Sequence, residues 1–364
     1  MGAITNTNMK ILIFALSGIG DALMFSPSLK LLRKNFPDAQ IDMLAMFKGV
    51  QEIYSRNPDL NNVYFWNFLG ENPFSSLQYL MRLHMERYNV SINVYPSNRW
   101  PYNVISFLIG AKKRLGHEYN HANLSSMNFL NNVRVHEDDT KHNVEDNIEL
   151  IKKLGITPTL PLPPLDVYLT EKDEILASDW LKSNNLTDKK LFIGYHAGSS
   201  VLKNHAARRW APEKFAKLGL QLMKEKNATI LLFGGPDEYE LNDSINSLME
   251  NKGIVVKVPT LMSSVALMKR CNVFVVNDSG LMHVAAGLQL PTVSIFAYTN
   301  PVYVYPWGTQ YVMVRKDLEC SPCFYYSPKP ATCKWDTDKF RCNSQIQVNE
   351  VYTAVETLLS QNPS

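Results

Sequence analysis

Long apolar runs are missing from this chain. No stretch of about 18 or more apolar residues occurs, which excludes a membrane-spanning helix. The first eight residues, Met1 to Asn8, are polar, not a basic segment followed by an apolar one, so no signal peptide is evident. Residues 1–8 read as a short disordered leader or a cloning scar, and the cytoplasm is the expected compartment. Charge of one sign is also scarce. A net charge of +3 on 364 residues argues against a nucleic-acid partner, though it does not oppose an anionic membrane surface. No internal repeat is obvious beyond a shared β/α rhythm. What remains is an ordinary globular composition, 45% hydrophobic and 20% charged, with room for two domains.

The chain alternates strand-like apolar runs with helical periodicity. Strands are predicted at Lys10 to Leu16, Gln40 to Met46, Val63 to Trp66 and Val90 to Tyr95. Helices are predicted at Ala22 to Asn35, Phe74 to Arg87, Pro101 to Ile109 and His142 to Leu154. Pro158, Pro161, Pro163 and Pro164 then make an extended link, after which the alternation restarts. Such a rhythm predicts an α/β protein of two Rossmann-like, doubly wound domains facing each other across a cleft, the first at residues 9–163 and the second at 164–364.

Two loops in this frame carry chemistry. The run Val273 to Val276 leads into Asn277-Asp278-Ser279-Gly280-Leu281-Met282-His283. This reads as a strand, a tight loop and a helix start, whose free backbone N–H groups and positive dipole end suit an anion. Asp278 or Ser279 acting as a plain helix cap is the competing reading. The crowding of Asp, Ser, Gly and His at the carboxyl end of a buried parallel strand favours a ligand site. Near the N-terminus, Ser17-Gly18-Ile19-Gly20-Asp21 follows the first strand. It is no dinucleotide fingerprint, because Leu23 stands where a third Gly or Ala belongs, and the next strand carries its Asp at the start.

Leu16-Ser17-Gly18-Ile19-Gly20-Asp21-Ala22, Arg208-Arg209-Trp210-Ala211-Pro212, Phe233-Gly234-Gly235-Pro236-Asp237-Glu238 and the Asp278 to His283 block together resemble glycosyltransferase family 9, the ADP-heptose:lipopolysaccharide heptosyltransferases. The resemblance runs from about Met9 to the C-terminal helix. It implies a GT-B fold, with acceptor on the N-terminal domain and nucleotide-sugar on the C-terminal one. It also implies inverting transfer of a heptose from ADP-heptose to an acceptor hydroxyl in lipopolysaccharide inner-core assembly, with no organic cofactor. Lipid A–Kdo or another saccharide is the implied acceptor, a protein acceptor stays open, and contact with the cytoplasmic face of the inner membrane fits.

Roles follow residue by residue. Inverting transfer needs a base for the acceptor hydroxyl, and Asp21 matches the family's base beside Gly18 and Gly20; capping the next helix is its alternative. Charge developing on the leaving diphosphate needs fixed donors, for which Ser199, Ser200 and Arg208 fit. The family usually has Lys at the Arg208 position, and the segment from Ser200 to Arg208 is longer than usual, which leaves Lys203 or Arg209 as alternative phosphate holders. The acidic residue that holds the nucleotide ribose falls on Asp237 or Glu238. Asp278, Ser279, Gly280, Leu281 and His283 complete the donor site, with a satisfied histidine at the helix–sheet interface as the other reading of His283.

Only five cysteines occur, and four of them, Cys320, Cys323, Cys333 and Cys342, crowd one loop-rich excursion at 317–343. In a reducing compartment this pattern favours a closed structural zinc or iron over two free pairs. Cys271 reads as a buried small hydrophobe. Competing functions are a nucleotide-sugar epimerase or hydrolase of the same fold, and a protein O-heptosyltransferase.

Overall fold

The computed structural model describes residues 9–120, 124–200, 202–324 and 330–362, so the leader reading of residues 1–8 lies outside the described residues. The chain divides into two compact units, the first ending at Tyr168 and the second beginning at Leu169.

The first unit runs β1 (Lys10–Ala15), α1 (Ile19–Leu23), α2 (Ser26–Asn35), β2 (Gln40–Ala45), α3 (Lys48–Tyr54), β3 (Asn62–Phe65), α4 (Pro73–Met85), β4 (Val90–Asn93), α5 (Trp100–Ile109), β5 (Lys113–Glu118), β6 (Val133–His136) and α6 (Asn143–Lys152). Its strands form one parallel sheet in the order β3-β2-β1-β4-β5-β6. β1 lies in the middle, with Ile13 beside Met43 on one side and Ile92 on the other. Helices cover both faces of such a sheet, which is why Ile11 to Ala15 form an unbroken buried run without alternation. The expected helix Ala22 to Asn35 is in fact two. Pro27 lies in the first turn of α2 and has no N–H to continue a helix from Leu23. The Leu23 carbonyl accepts from Ser26 Oγ at 2.7 Å instead, and Tyr54 Oη donates to the Ala22 carbonyl at 2.6 Å. Beyond the proline link, Leu165 is buried, the Asp166 N–H donates to Ser26 Oγ, and Lys30 Nζ meets the Asp166 carboxylate at 2.8 Å.

The second unit runs α7 (Glu171–Ser183), β7 (Phe192–His196), α8 (Pro212–Lys226), β8 (Thr229–Leu232), α9 (Tyr239–Leu248), β9 (Ile254–Val255), α10 (Leu261–Met268), β10 (Val273–Asn277), α11 (Gly280–Gly287), β11 (Thr292–Ile295), α12 (Pro301–Val304), β12 (Tyr311–Val314), α13 (Arg341–Ser344) and α14 (Val348–Gln361). The sheet order is β12-β11-β10-β7-β8-β9, again parallel throughout. Counted within its own unit, this is the strand order of the first sheet. In both, chain order reverses beside the first strand, between β1 and β4 and between β7 and β10, and ligands of open α/β sheets bind at the carboxyl ends there. Helix α8 begins with Pro212 in its first turn and ends before Asn227, which takes a left-handed conformation. Its Phe215, Leu218 and Leu222 join Trp210 and the α14 residues Val351, Val355 and Leu358 in one core.

At the reversal of the second sheet, the buried Asn277 side chain ties the two central strands together. Its Oδ1 accepts from the Trp210 N–H at 3.0 Å and its Nδ2 donates to the Ala197 carbonyl at 2.8 Å. Asn277→Ala leaves two buried backbone groups unpaired and is expected to lower the unfolding free energy by about 2–4 kcal/mol. Urea denaturation followed by tryptophan fluorescence measures this; a loss below about 0.5 kcal/mol contradicts the assigned tie.

Candidate functional site

The carboxyl ends of β7, β8 and β10 bring five polar side chains of the second unit together. His196, the last residue of β7, is buried and bridges two of them. Its Nε2 lies 3.0 Å from Glu238 Oε2, and its Nδ1 lies 3.0 Å from Ser279 Oγ. An ionised carboxylate only accepts, so Nε2 carries the proton shared with Glu238, and in the neutral ring Nδ1 accepts from the Ser279 hydroxyl. Ser279 stands at the N-cap of α11 yet makes no capping bond. Asp278 is likewise occupied, since its Oδ2 takes Arg208 Nη1 at 2.7 Å in a largely buried ion pair. The capping alternative therefore fails for both residues: their side chains turn toward β7 and the arginine segment, leaving the first turn of α11 to its own backbone donors.

Burial pushes the Glu238 carboxyl up, but the hydrogen bond from His196, the Gly235 N–H and the Arg209 charge outweigh it and hold the group below the usual glutamate range. Any side chain at Gly198 would collide with the Glu238 carboxylate, so the close approach of that carboxylate to the backbone requires glycine there. Arg209 Nη2 lies 3.8 Å from Glu238 Oε1 and donates to the Ser199 carbonyl, while Ser199 Oγ donates to the His205 carbonyl at 3.0 Å. Arg208 keeps its Nε buried without a hydrogen-bond partner among the described residues.

Of the residues singled out in the sequence, Ser199, Arg208, Glu238, Asp278, Ser279, Gly280 and His283 converge here, and Leu281 lies on the first turn of α11. Asp237 does not join them: it is exposed in the short turn Pro236–Glu238, and only its neighbour reaches His196. Ser200 is exposed, and the side chain of Lys203 lies outside the described residues. His283 is buried, but not as a satisfied histidine, because its Nδ1 has no partner among the described residues. His196 and Gly198 are not singled out by the sequence. A histidine ending a strand and a glycine after it carry no local signal of their own. What would have found His196 is its place on the first strand of the second unit, next to the reversal.

In the first unit, Gly18 caps α1 with an ordinary φ of −66°, Gly20 is buried, and Asp21 sits half-buried in the first turn of α1. The break before Pro27 removes Asp21 from any cap of α2, whose N-cap is Phe25. Asp21 lies close enough to Tyr102 and Tyr119 to help push both phenols up, burial being the larger cause. Ser17 Oγ donates to the Pro96 carbonyl at 3.0 Å, which joins the loop after β1 to the loop after β4.

The four-thiolate metal centre expected at Cys320, Cys323, Cys333 and Cys342 finds no support: among the described residues no group of three or more His, Cys, Asp or Glu side chains is arranged to hold a metal. The four thiols lie near one another, since Cys320, Cys323 and Cys333 all help push the Cys342 thiol up, burial being the larger cause, and two of them also accept hydrogen bonds. Trp335 Nε1 donates to Cys320 Sγ at 3.5 Å, and the Phe340 N–H donates to Cys333 Sγ at 3.4 Å. Cys342 is packed with Ala297, Tyr298 and Ala331, and burial pushes its thiol up to about 11. The excursion also buttresses the arginine segment. Asn343 Nδ2 donates to the Ala207 and Arg209 carbonyls at 3.3 and 2.6 Å, and Asn204 Nδ2 donates to the Ala331 carbonyl at 2.9 Å.

The site makes a pH prediction. Burial, partly offset by Asp278, pushes the His283 imidazole down to about 4. Between that value and about 6.5 the unfolded chain binds the extra proton, so the stability tied to a neutral His283 is complete above about pH 6.5 and lost as the pH falls toward 4. His283→Gln is expected to flatten the acid-side slope of stability, by up to about 1.4 kcal/mol per pH unit. Urea titrations of both proteins from about pH 7 to pH 5 measure the difference, and parallel slopes contradict it.

Comparison with known proteins gives this geometry its context. The pattern of glycosyltransferase family 9 (heptosyltransferase) matches residues 78–332, more than half of the chain. Lipopolysaccharide heptosyltransferase 3 of Escherichia coli (strain K12) is 24% identical over 356 residues, covering 94% of this chain and 96% of its own. Lipooligosaccharide heptosyltransferase 2 of Haemophilus ducreyi is 28% identical over 324 residues, covering 84% and 88%. Among solved structures, the glycosyl transferase family 9 protein of Veillonella parvula superposes with a TM-score of 0.79 at 23% identity, covering 97% of this chain and 98% of that one. E. coli ADP-heptose lps heptosyltransferase II gives 0.76 at 22%, covering 98% and 100%. The fold is thus the GT-B arrangement of two Rossmann-like units, and the chain belongs to glycosyltransferase family 9, the heptosyl-transferring enzymes.

Proposed function

We propose that this enzyme moves a heptose from ADP-heptose to a hydroxyl of a growing lipopolysaccharide core, with inversion at the anomeric carbon. The observation that carries the reading is the Arg208–Asp278 pair beside the start of α11, with Arg208 Nε still unpartnered among the described residues. In this reading the second unit takes the donor. The α11 backbone donors, Arg208 and Ser279 hold the diphosphate, with Arg209 and Ser199 beside them. Glu238, ionised and oriented by His196, accepts from the nucleotide ribose hydroxyls, as carboxylates of such sheets do.

The first unit takes the acceptor. Asp21 removes the proton as the acceptor oxygen bonds to the anomeric carbon and the bond from that carbon to the diphosphate breaks. ADP leaves with its new charge matched by the arginine and the helix N-terminus. Asp21 precedes the stretch matched by the family pattern, so its role rests on its place in the loop after β1 and on its motif. No organic cofactor is required by this scheme. The names of the full-length relatives support a lipopolysaccharide acceptor, and an acceptor of that kind would be met at the cytoplasmic face of the membrane.

Incubation with ADP-heptose and a lipid A–Kdo or heptosylated core acceptor, read by mass spectrometry, is expected to add one heptose to the acceptor and release ADP. Release of free heptose at the same rate without acceptor would mark a hydrolase. Asp21→Asn is expected to keep ADP affinity and lower turnover by about a hundredfold or more; unchanged turnover removes Asp21 from the chemistry.

A further inference from the structure

We propose that α4 and the neighbouring α5 form a face that docks on an anionic phospholipid bilayer. Helix α4 is apolar on two sides. Leu80 and Leu83 are buried in the first unit's core, whereas Phe74, Leu77, Met81 and Met85, spaced three and four residues apart, are 45–70% exposed. That spacing puts all four on one stripe of the helix, turned to solvent. Helix α5 packs beside α4, with His84 Nδ1 3.1 Å from the Leu108 carbonyl, and adds exposed Trp100 and Phe107. An isolated exposed leucine is ordinary; a stripe of this length with two exposed aromatics beside it marks a contact surface.

The charge around the stripe selects the partner. Residues 72–117 contain six Lys or Arg and one acidic residue, Glu86, whose carboxylate is held by Lys10 Nζ at 3.0 Å. Arg82 lies on α4 itself, Lys112 is exposed just beyond α5, and the Arg114 guanidinium lies 5.5 Å over the Phe107 ring. Apolar side chains bordered by cations, with no acidic residue within either helix, match an interface of acyl chains under anionic headgroups. A second copy of this chain fits less well, because a two-fold contact on this face sets its cations against themselves. The inference extends the membrane-face part of the proposed function, and its test requires no donor sugar, so the two can fail separately.

Co-sedimentation with vesicles tests it, using mixed phosphatidylethanolamine and phosphatidylglycerol against phosphatidylcholine alone. The protein is expected to bind the anionic vesicles at least about tenfold better, with the preference shrinking as salt rises. Phe74→Ser with Met81→Ser, and separately Arg82→Glu with Lys112→Glu, are each expected to weaken that binding about tenfold or more while melting temperature and ADP affinity hold. The charge-reversed pair leaves the apolar stripe intact and decides the matter even if the serine pair misfolds. Equal binding to both vesicle types, or undiminished binding by the charge-reversed protein, overturns the proposal. So does a serine pair that binds vesicles normally but converts a dimer to a monomer, which would assign the face to a second copy.

Discussion

Two opposite charges largely withdrawn from water, Arg208 and Asp278, set the terms for the carboxyl end of the second sheet. Each loses hydration on burial, and the loss is offset only while the 2.7 Å contact is kept. Removing one partner of such a pair costs about 3–5 kcal/mol, because the other is left stranded. The surrounding structure keeps the contact in place. Asp278 follows Asn277, whose amide locks β10 to the segment after β7 and to Trp210. Arg208 ends a short helix pinned by Asn343 and the Ala331 carbonyl from the cysteine-bearing excursion. That excursion is the brace that holds two consecutive arginines beside α11. A guanidinium suits the position better than an ammonium, since its fork engages Asp278 through one nitrogen and retains donors for an anion.

The same topology is used twice with different chemistry. In each unit the first and fourth strands lie side by side at the reversal of the sheet, and their following loops carry the polar residues. In the first unit these loops present Gly18, Asp21 and the Ser17 to Pro96 tie. In the second they present His196, Glu238, Ser279 and the ion pair. A negatively charged sugar donor fits the second set, and a hydroxyl to be deprotonated fits the first. The buried His196 also explains the serine at 279. A hydroxyl in hydrogen bond with imidazole stays oriented at the helix start, where a plain cap would fold it back on the backbone.

Much of the fold was legible because parallel strands buried on both faces read as unbroken apolar runs, as Ile11 to Ala15 and Val273 to Val276 do. Proline marked the start of α8, and a left-handed asparagine its end. Apolar patterning misses β5 and β6, where KRLGHE and VRVH are too polar to resemble buried strands, and it runs one helix across the break that Pro27 imposes. The candidate site was readable where residues cluster in sequence, as from Asp278 to His283. It is not readable where the fold assembles it from afar: His196 and Gly198 reach Glu238, which its own motif does single out, only because β7 and β8 are neighbours. The cysteine spacing suggested a metal, yet hydrogen bonds to Trp335 and Phe340 and the apolar packing of Cys342 are tertiary facts that spacing does not encode.

The carboxyl end of the second sheet is proposed to hold the nucleotide diphosphate. Hydrogen–deuterium exchange with and without saturating ADP tests this most directly, because it reads backbone protection peptide by peptide. Slowed exchange is expected at residues 196–209, 235–238 and 278–284, with the loop at 17–21 unchanged by ADP alone. Protection confined to residues 9–168, or ADP binding that leaves the start of α11 exchanging as before, would contradict it.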